Sequence, residues 1–139
     1  MVKISKERIA SYQATLYRVT GIVPAFTLRI GEYSAALATV YRDTGHVNAA
    51  YITAWNPRSQ PFPNDINEDR QRRLIACLEE RGNRYFFGEG SSPDGMWREQ
   101  SLLVLGIDLA LARALSEQFE QNAFVYCDEG AVPQLVLLR

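Results

Sequence analysis

Trp97, Glu99 and Ser101 stand at alternate positions just before the apolar run Leu102–Leu105. In an extended strand, residues two apart share a face. A carboxylate held between an indole and a hydroxyl, beside an apolar run, loses water; desolvation raises its pKa and suits it to acid–base work. Tyr51, Thr53 and Trp55 alternate in the same way in AAYITAW, followed closely by Asn56, Ser59 and Gln60. If the two faces coincide, Trp55 and Trp97 wall a concave surface. Asn56, Ser59, Asn67 and Ser101 then supply hydrogen-bonding groups, and Glu99 is the candidate acid or base. Aromatic walls with a few convergent polar groups suit a small polar or nucleotide-like ligand. The competing role for Glu99 is structural: an ion pair with Arg29, Arg58 or Arg70, or an acceptor for loop amides.

Other chemistries fare less well. The glycine-rich stretch Gly88–Gly95 resembles a phosphate cradle, but such cradles open a helix N-terminus. This one lies between two strand patterns and carries Glu89 and Asp94, so Gly90 and Gly95 read as turn residues of a wide hairpin. His46 is the single histidine, which excludes a Ser/His triad and a two-histidine zinc motif. A serine nucleophile would otherwise need a lysine, and the only lysines are Lys3 and Lys6. Cys77 and Cys127 lack neighbours at metal-ligand spacing and read as buried thiols in a reducing compartment. No metal site and no cofactor is expected. Arg70, Arg72, Arg73, Arg81 and Arg84 read as a solvated basic flank.

The bulk numbers narrow the class further. The 139 residues fit one domain, 1–139, long enough to bury a core without staples. With 47% hydrophobic and 22% charged residues, neither disorder nor a repeat array is indicated. A net charge of −1 removes the usual electrostatic footprint of a duplex-DNA binder. An aromatic sheet face invites comparison with RNA-binding sheets, but the basic-aromatic signature of those sheets is missing. No segment approaches a membrane span and the N-terminus has no signal-like apolar run, so a cytoplasmic protein is expected.

The elements that must hold these residues follow from pattern and punctuation. Ser5 caps a helix whose stripe is Ile9, Tyr12 and Leu16, with Tyr17 beside it. Phe26–Ile30 alternates as a strand, and Ser34 caps a helix over Ala35–Arg42. Ala49–Trp55 is a strand cut off by Asn56-Pro57. Asp65 and Glu68 have capping-box spacing, which predicts a helix to about Arg81 with Ile66, Leu74, Ile75 and Leu78 inward and Gly82 as its stop. Strands are predicted over Arg84–Glu89 and Trp97–Leu105. A helix capped by Asp108 with Leu109, Ala112, Leu115 and Phe119 inward then runs to about Gln121-Asn122. Ala123–Cys127 and Gln134–Leu138 form a C-terminal hairpin. From Ala49 the order is β-α-β-β-α-β plus one strand. That predicts an α+β fold with a ferredoxin-like split βαβ core, its first and third strands adjacent at the centre. An N-terminal helix and strand would cover an edge or the open face.

Thr53-Ala54-Trp55-Asn56-Pro57 with Ser59, then Asn67, then Trp97-x-Glu99-x-Ser101, then Gln121-Asn122-Ala123, resemble in order and spacing the bacterial domain-of-unknown-function family 3293. The resemblance runs roughly from Phe26 to the last strand. It implies a small single-domain bacterial protein and carries no activity, cofactor or catalytic residue. Two functional expectations therefore stand: a binding domain for a small-molecule ligand, with Glu99 available for acid–base chemistry, or an interaction module for a protein partner working through an exposed sheet edge.

Overall fold

The computed structural model describes residues 3–139. Helix α1 spans Lys6–Ala14, with Ser5 Oγ accepting the Arg8 amide at 3.1 Å. It stops before Leu16, contrary to the expected stripe. Leu16–Val19 is instead strand β1, laddered on one side to β2 (Phe26–Leu28) and on the other to β4 (Tyr85–Ser91). No residue of α1 is buried, whereas Tyr17 and Val19 are core residues of β1. Two ladders and a buried face outweigh the local helical spacing.

Helix α2, Ala35–Thr44, is capped by Ser34 through the Leu37 amide at 3.0 Å and closed by Gly45 at φ 79°. Strand β3 covers only Ala49–Ile52. The expected continuation to Trp55 leaves the sheet because side chains take over its backbone. Thr53 Oγ1 donates to the Gln100 carbonyl at 2.6 Å and accepts the Trp55 amide at 3.0 Å. The Ala54 amide donates to Gln71 Oε1 at 2.9 Å, and Arg70 Nε to the Ala54 carbonyl at 3.0 Å.

Helix α3 runs Asn64–Arg81 and ends at Gly82 in the left-handed conformation. Pro63, not Asp65, occupies its cap position, and no side chain caps it. The predicted inward face also needs correction: Ile66 is 43% exposed, and the buried stripe is Asn67, Gln71, Leu74 and Leu78. The two polar members face inward because they hold the Ala54–Asn56 backbone. Strand β5 is Arg98–Leu105 and helix α4 is Leu109–Gln118, capped by Asp108. Ala112, Leu115 and Phe119 lie inward as expected, while Leu109 in the first turn is 41% exposed. Strands β6 (Ala123–Cys127) and β7 (Pro133–Leu137) pair as an antiparallel hairpin.

The protein is a mixed helix-and-sheet fold in which the seven strands of the described residues form one antiparallel sheet, in the order β2-β1-β4-β5-β3-β6-β7. Strand β5 occupies the middle. Its Leu103 lies opposite Tyr51 of β3 and its Glu99 opposite Gly90 of β4. One face of the sheet, with Ala50, Ile52, Leu102 and Val104, packs on Leu74 and Leu78 of α3 and Ala112 and Leu115 of α4. The other face carries Tyr17, Tyr51, Leu103 and Leu105 and packs on Leu37, Val40 and Tyr41 of α2. The N-terminal segment therefore extends one sheet edge with β1 and β2 and covers the second face with α2. Gly88 allows this packing at one tight point. A Cβ there would collide with the Arg18 carbonyl and stand 2.9 Å from the Tyr51 hydroxyl. Gly90 belongs to β4 and is not a turn residue, whereas Gly95 does turn the chain, at φ 75°.

Candidate functional site

Past the region covered by α2, the second sheet face opens into a cavity of about 290 Å³ beneath α1. Glu99 and Ser101 reach it from β5 and Tyr51 from β3, while Arg8 and Tyr12 close it from α1. Glu99 Oε2 accepts Nδ2 of Asn56 at 3.0 Å. Asn56 is itself clamped. Its amide donates to Asn67 Oδ1 at 2.9 Å, and its Oδ1 receives Asn67 Nδ2 at 2.8 Å and the Phe62 amide at 3.0 Å. Asn67 is almost wholly buried and also donates to the Phe62 carbonyl at 3.1 Å. The backbone at Asn56 is left-handed, φ 46°, a conformation that asparagine tolerates better than most residues.

Burial is the largest influence on Glu99 and pushes its pKa up to about 7, against smaller downward pulls from Asn56, the Trp97 side chain and the charge of Arg8. Among the described residues no basic group lies within ion-pair distance of its carboxyl. Arg58 and Arg70 both turn to Glu120, at 3.7 and 3.5 Å, and among the described residues Arg29 has no ion-pair partner. The structural ion pair considered for Glu99 is thus not formed. A pKa near 7 puts both protonation states within reach at neutral pH, so the carboxyl can give or take a proton.

The opposite wall is a hydroxyl and amide cluster. The Tyr12 hydroxyl lies 2.6 Å from Ser59 Oγ, and Asn122 Nδ2 donates to both, at 3.2 and 3.3 Å. Arg8 Nη1 donates to the Ser59 carbonyl at 3.3 Å and Arg139 Nε to Asn122 Oδ1 at 3.0 Å. The floor is Tyr17 packed edge-to-face on Tyr51, with centroids 5.3 Å apart. Burial raises both phenols well above their ordinary pKa, so they remain neutral.

Of the residues singled out in the sequence, Tyr51, Thr53, Ser59, Trp97, Glu99 and Ser101 line the cavity. Asn56 stands behind Glu99, and Asn67 stands behind Asn56. Trp55 is not a wall: its indole nitrogen is buried without a protein partner, and its carbonyl accepts Gln121 Nε2 at 3.0 Å. Arg8, Tyr12, Tyr17 and Asn122 are among the other residues of the lining. Arg8 and Tyr12 share a helix face, but no local pattern joins that face to a strand some ninety residues later. The loop before β5 is satisfied internally. Asp94 Oδ1 accepts Ser92 Oγ at 2.6 Å and the Met96 amide at 3.0 Å, which also lowers its pKa, so the loop is no phosphate cradle. His46 lies against Gly106, outside the cavity lining. Cys127 is fully buried, its thiol pushed up to about 12 by desolvation. Among the described residues no cluster of three or more histidine, cysteine, aspartate or glutamate side chains could hold a metal, and no helix is long and apolar enough to cross a membrane.

Fold and site together define a small mixed helix-and-sheet protein with a part-buried carboxyl facing an aromatic and polar cavity. The model of the family described as Protein of unknown function (DUF3293) matches residues 52–124, and the chain belongs to that family. The match begins in β3 and ends in β6, so it contains Asn56, Asn67 and Glu99 but neither Arg8 nor Tyr12. No curated protein and no solved structure matches the chain.

Proposed function

We propose that the protein binds a small polar or nucleotide-like molecule in the cavity between α1 and the sheet, with Glu99 as its central polar contact. One observation carries this reading: the Glu99 carboxyl lines the cavity, held by Asn56 Nδ2 at 3.0 Å and, among the described residues, with no cation within ion-pair distance. A purely structural carboxylate at that depth would normally be paired. Here Asn56 anchors Oε2, and the side of the group that lines the cavity is open to a ligand. Trp97 offers contact area, while Ser59, Ser101 and Asn122 offer hydrogen bonds that fix orientation. The volume suits a base- or sugar-sized group, at the small end of ligand pockets.

The reading of the scaffold goes with it. We take β3–α3–β4–β5–α4–β6 as a ferredoxin-like split βαβ core, elaborated by β1 and β2 at one edge and β7 at the other. The sheet order β4-β5-β3-β6 supports this, because the first and third strands of the unit are neighbours.

A thermal-shift screen against neutral nucleosides, sugars and small polar metabolites tests the site. Binding at the cavity predicts a rise in melting temperature that Glu99→Gln and Trp97→Ala each remove. Stabilisation that survives both substitutions would put the ligand elsewhere and overturn the reading.

A further inference from the structure

A second cavity, of about 590 Å³, adjoins the first and shares Arg8 and Asn122 with it. Four of its eight lining residues are cationic: Lys3, Arg8, Arg58 and Arg139, with Ile4, Ser5, Gln60 and Asn122 between them. No acidic side chain is among them, although the whole chain carries a net charge of −1. Positive charge has been gathered into one concavity of an otherwise balanced molecule. Like charges lining a cleft focus their field into it and raise the local concentration of anions.

The guanidinium donors are only partly used. Arg8 spends one N–H on the Ser59 carbonyl, and Arg139 spends Nε on Asn122. Arg58 has a loose 3.7 Å pairing to Glu120, which Arg70 shares. A guanidinium carries five N–H donors in a planar fork that matches the oxygens of a phosphate. The Arg8 and Arg139 bonds to Ser59 and Asn122 also hold the two forks against the wall between the cavities.

We propose that this second cavity is an oxyanion subsite that takes a phosphate group, either as the free ion or as the ester of the molecule whose neutral part lies beside Glu99. The inference rests on reading the Glu99 cavity as a ligand site for the second source, and stands alone for the first. Arg8 and Asn122, common to both cavities, are where the charged and neutral parts of one ligand would join. The phosphate would meet Lys3, Arg58 and Arg139 on its far side.

Amide NMR titrations with inorganic phosphate, a ribonucleoside and its 5′-monophosphate test this, with chloride at matched ionic strength as the reference. The variant is the double substitution Lys3→Gln and Arg58→Gln; both side chains are exposed and neither lines the Glu99 cavity. Phosphate is expected to shift amides at residues 3–5 and 58–60, with affinity falling at least tenfold in the double variant and retained in Glu99→Gln. If the ester is the source, the 5′-monophosphate binds at least tenfold more tightly than the nucleoside, and the double variant erases that advantage. Phosphate binding without nucleoside binding would keep the subsite for the free ion and reject a nucleotide as its source. Phosphate shifts no larger than those of chloride, or undiminished in the double variant, would overturn the proposal.

Discussion

Asn56 Nδ2 donates to Glu99 Oε2 at 3.0 Å, joining the loop after β3 to the middle strand of the sheet. The bond is the outward end of a chain of buried amides that begins on α3. Asn67 grips the Asn56 side chain and backbone together, so the direction in which Glu99 is anchored is set by a helix on the far face.

Asn67→Leu removes that grip and leaves the Asn56 amide and carboxamide oxygen short of partners. A buried group left unsatisfied costs about 1–3 kcal/mol, so the substitution is expected to lower the urea midpoint correspondingly. It should also abolish binding of any ligand that depends on Glu99. A variant with unchanged stability would mean that the amide chain carries no weight in the fold.

Glu99 makes stability depend on pH in a definite direction. Its folded pKa of about 7 lies above the ordinary 4.5. Between those values the folded chain keeps a proton that the unfolded chain has released. The stabilising contribution is therefore whole below pH 4.5, drains as pH rises and is gone above about pH 7. The shift corresponds to a difference of about 3 kcal/mol. Urea unfolding from pH 4.5 to 8 should show Glu99→Gln gaining stability on the native protein by roughly this amount. Parallel pH profiles for the two would show that the carboxyl titrates normally.

Gly88 and Gly90 sit two residues apart in β4 yet should respond differently to alanine. At Gly88 the new methyl meets the Arg18 carbonyl and the Tyr51 hydroxyl, which donates to that same carbonyl at 2.7 Å. Overpacking of this kind costs about 1–3 kcal/mol, visible as a lower melting temperature. At Gly90 the nearest atom, Ser101 Oγ, is 3.7 Å away. Gly90→Ala should fold normally and only narrow the cavity that Gly90 lines.

The cysteines should differ in access. Cys127 is fully buried and its thiol is pushed up to about 12, while Cys77 is half-buried on α3. Thiolate is the reactive form, so a disulfide reagent is expected to modify at most one thiol of the native protein, at Cys77. Both should react in denaturant. Rapid native modification of Cys127, read by peptide mass mapping, would contradict the packing of β6.

Much of the scaffold was legible in the chain because its cues are local. Ser34, Gly82, Asp108 and the proline-rich break after Trp55 act within a few residues, through caps and turn chemistry that need no distant partner. The alternation Trp97-x-Glu99-x-Ser101 likewise identified three side chains that now line one cavity. The misreadings share a cause. Leu16 and Tyr17 fit a helical stripe, but their strand ladders are made with segments far along the chain. Ile66 was expected inward and Asn67 to face a ligand. The reverse burial follows from the backbone at Asn56, whose polar groups need partners that only a helix packed beside it can supply.

The sequence by itself determined the succession of elements from β2 onward, the caps of α1, α2 and α4, and the alternation of an indole, an acid and a hydroxyl leading into one strand. These depend on periodicity and short-range hydrogen bonding. Only the tertiary structure decided that α1 would roof the site, that Trp55 would fall outside its lining, and that Arg8 would stand between two cavities. Such choices belong to contacts between residues distant in the chain, and burial of shared surface, not spacing, selects among them.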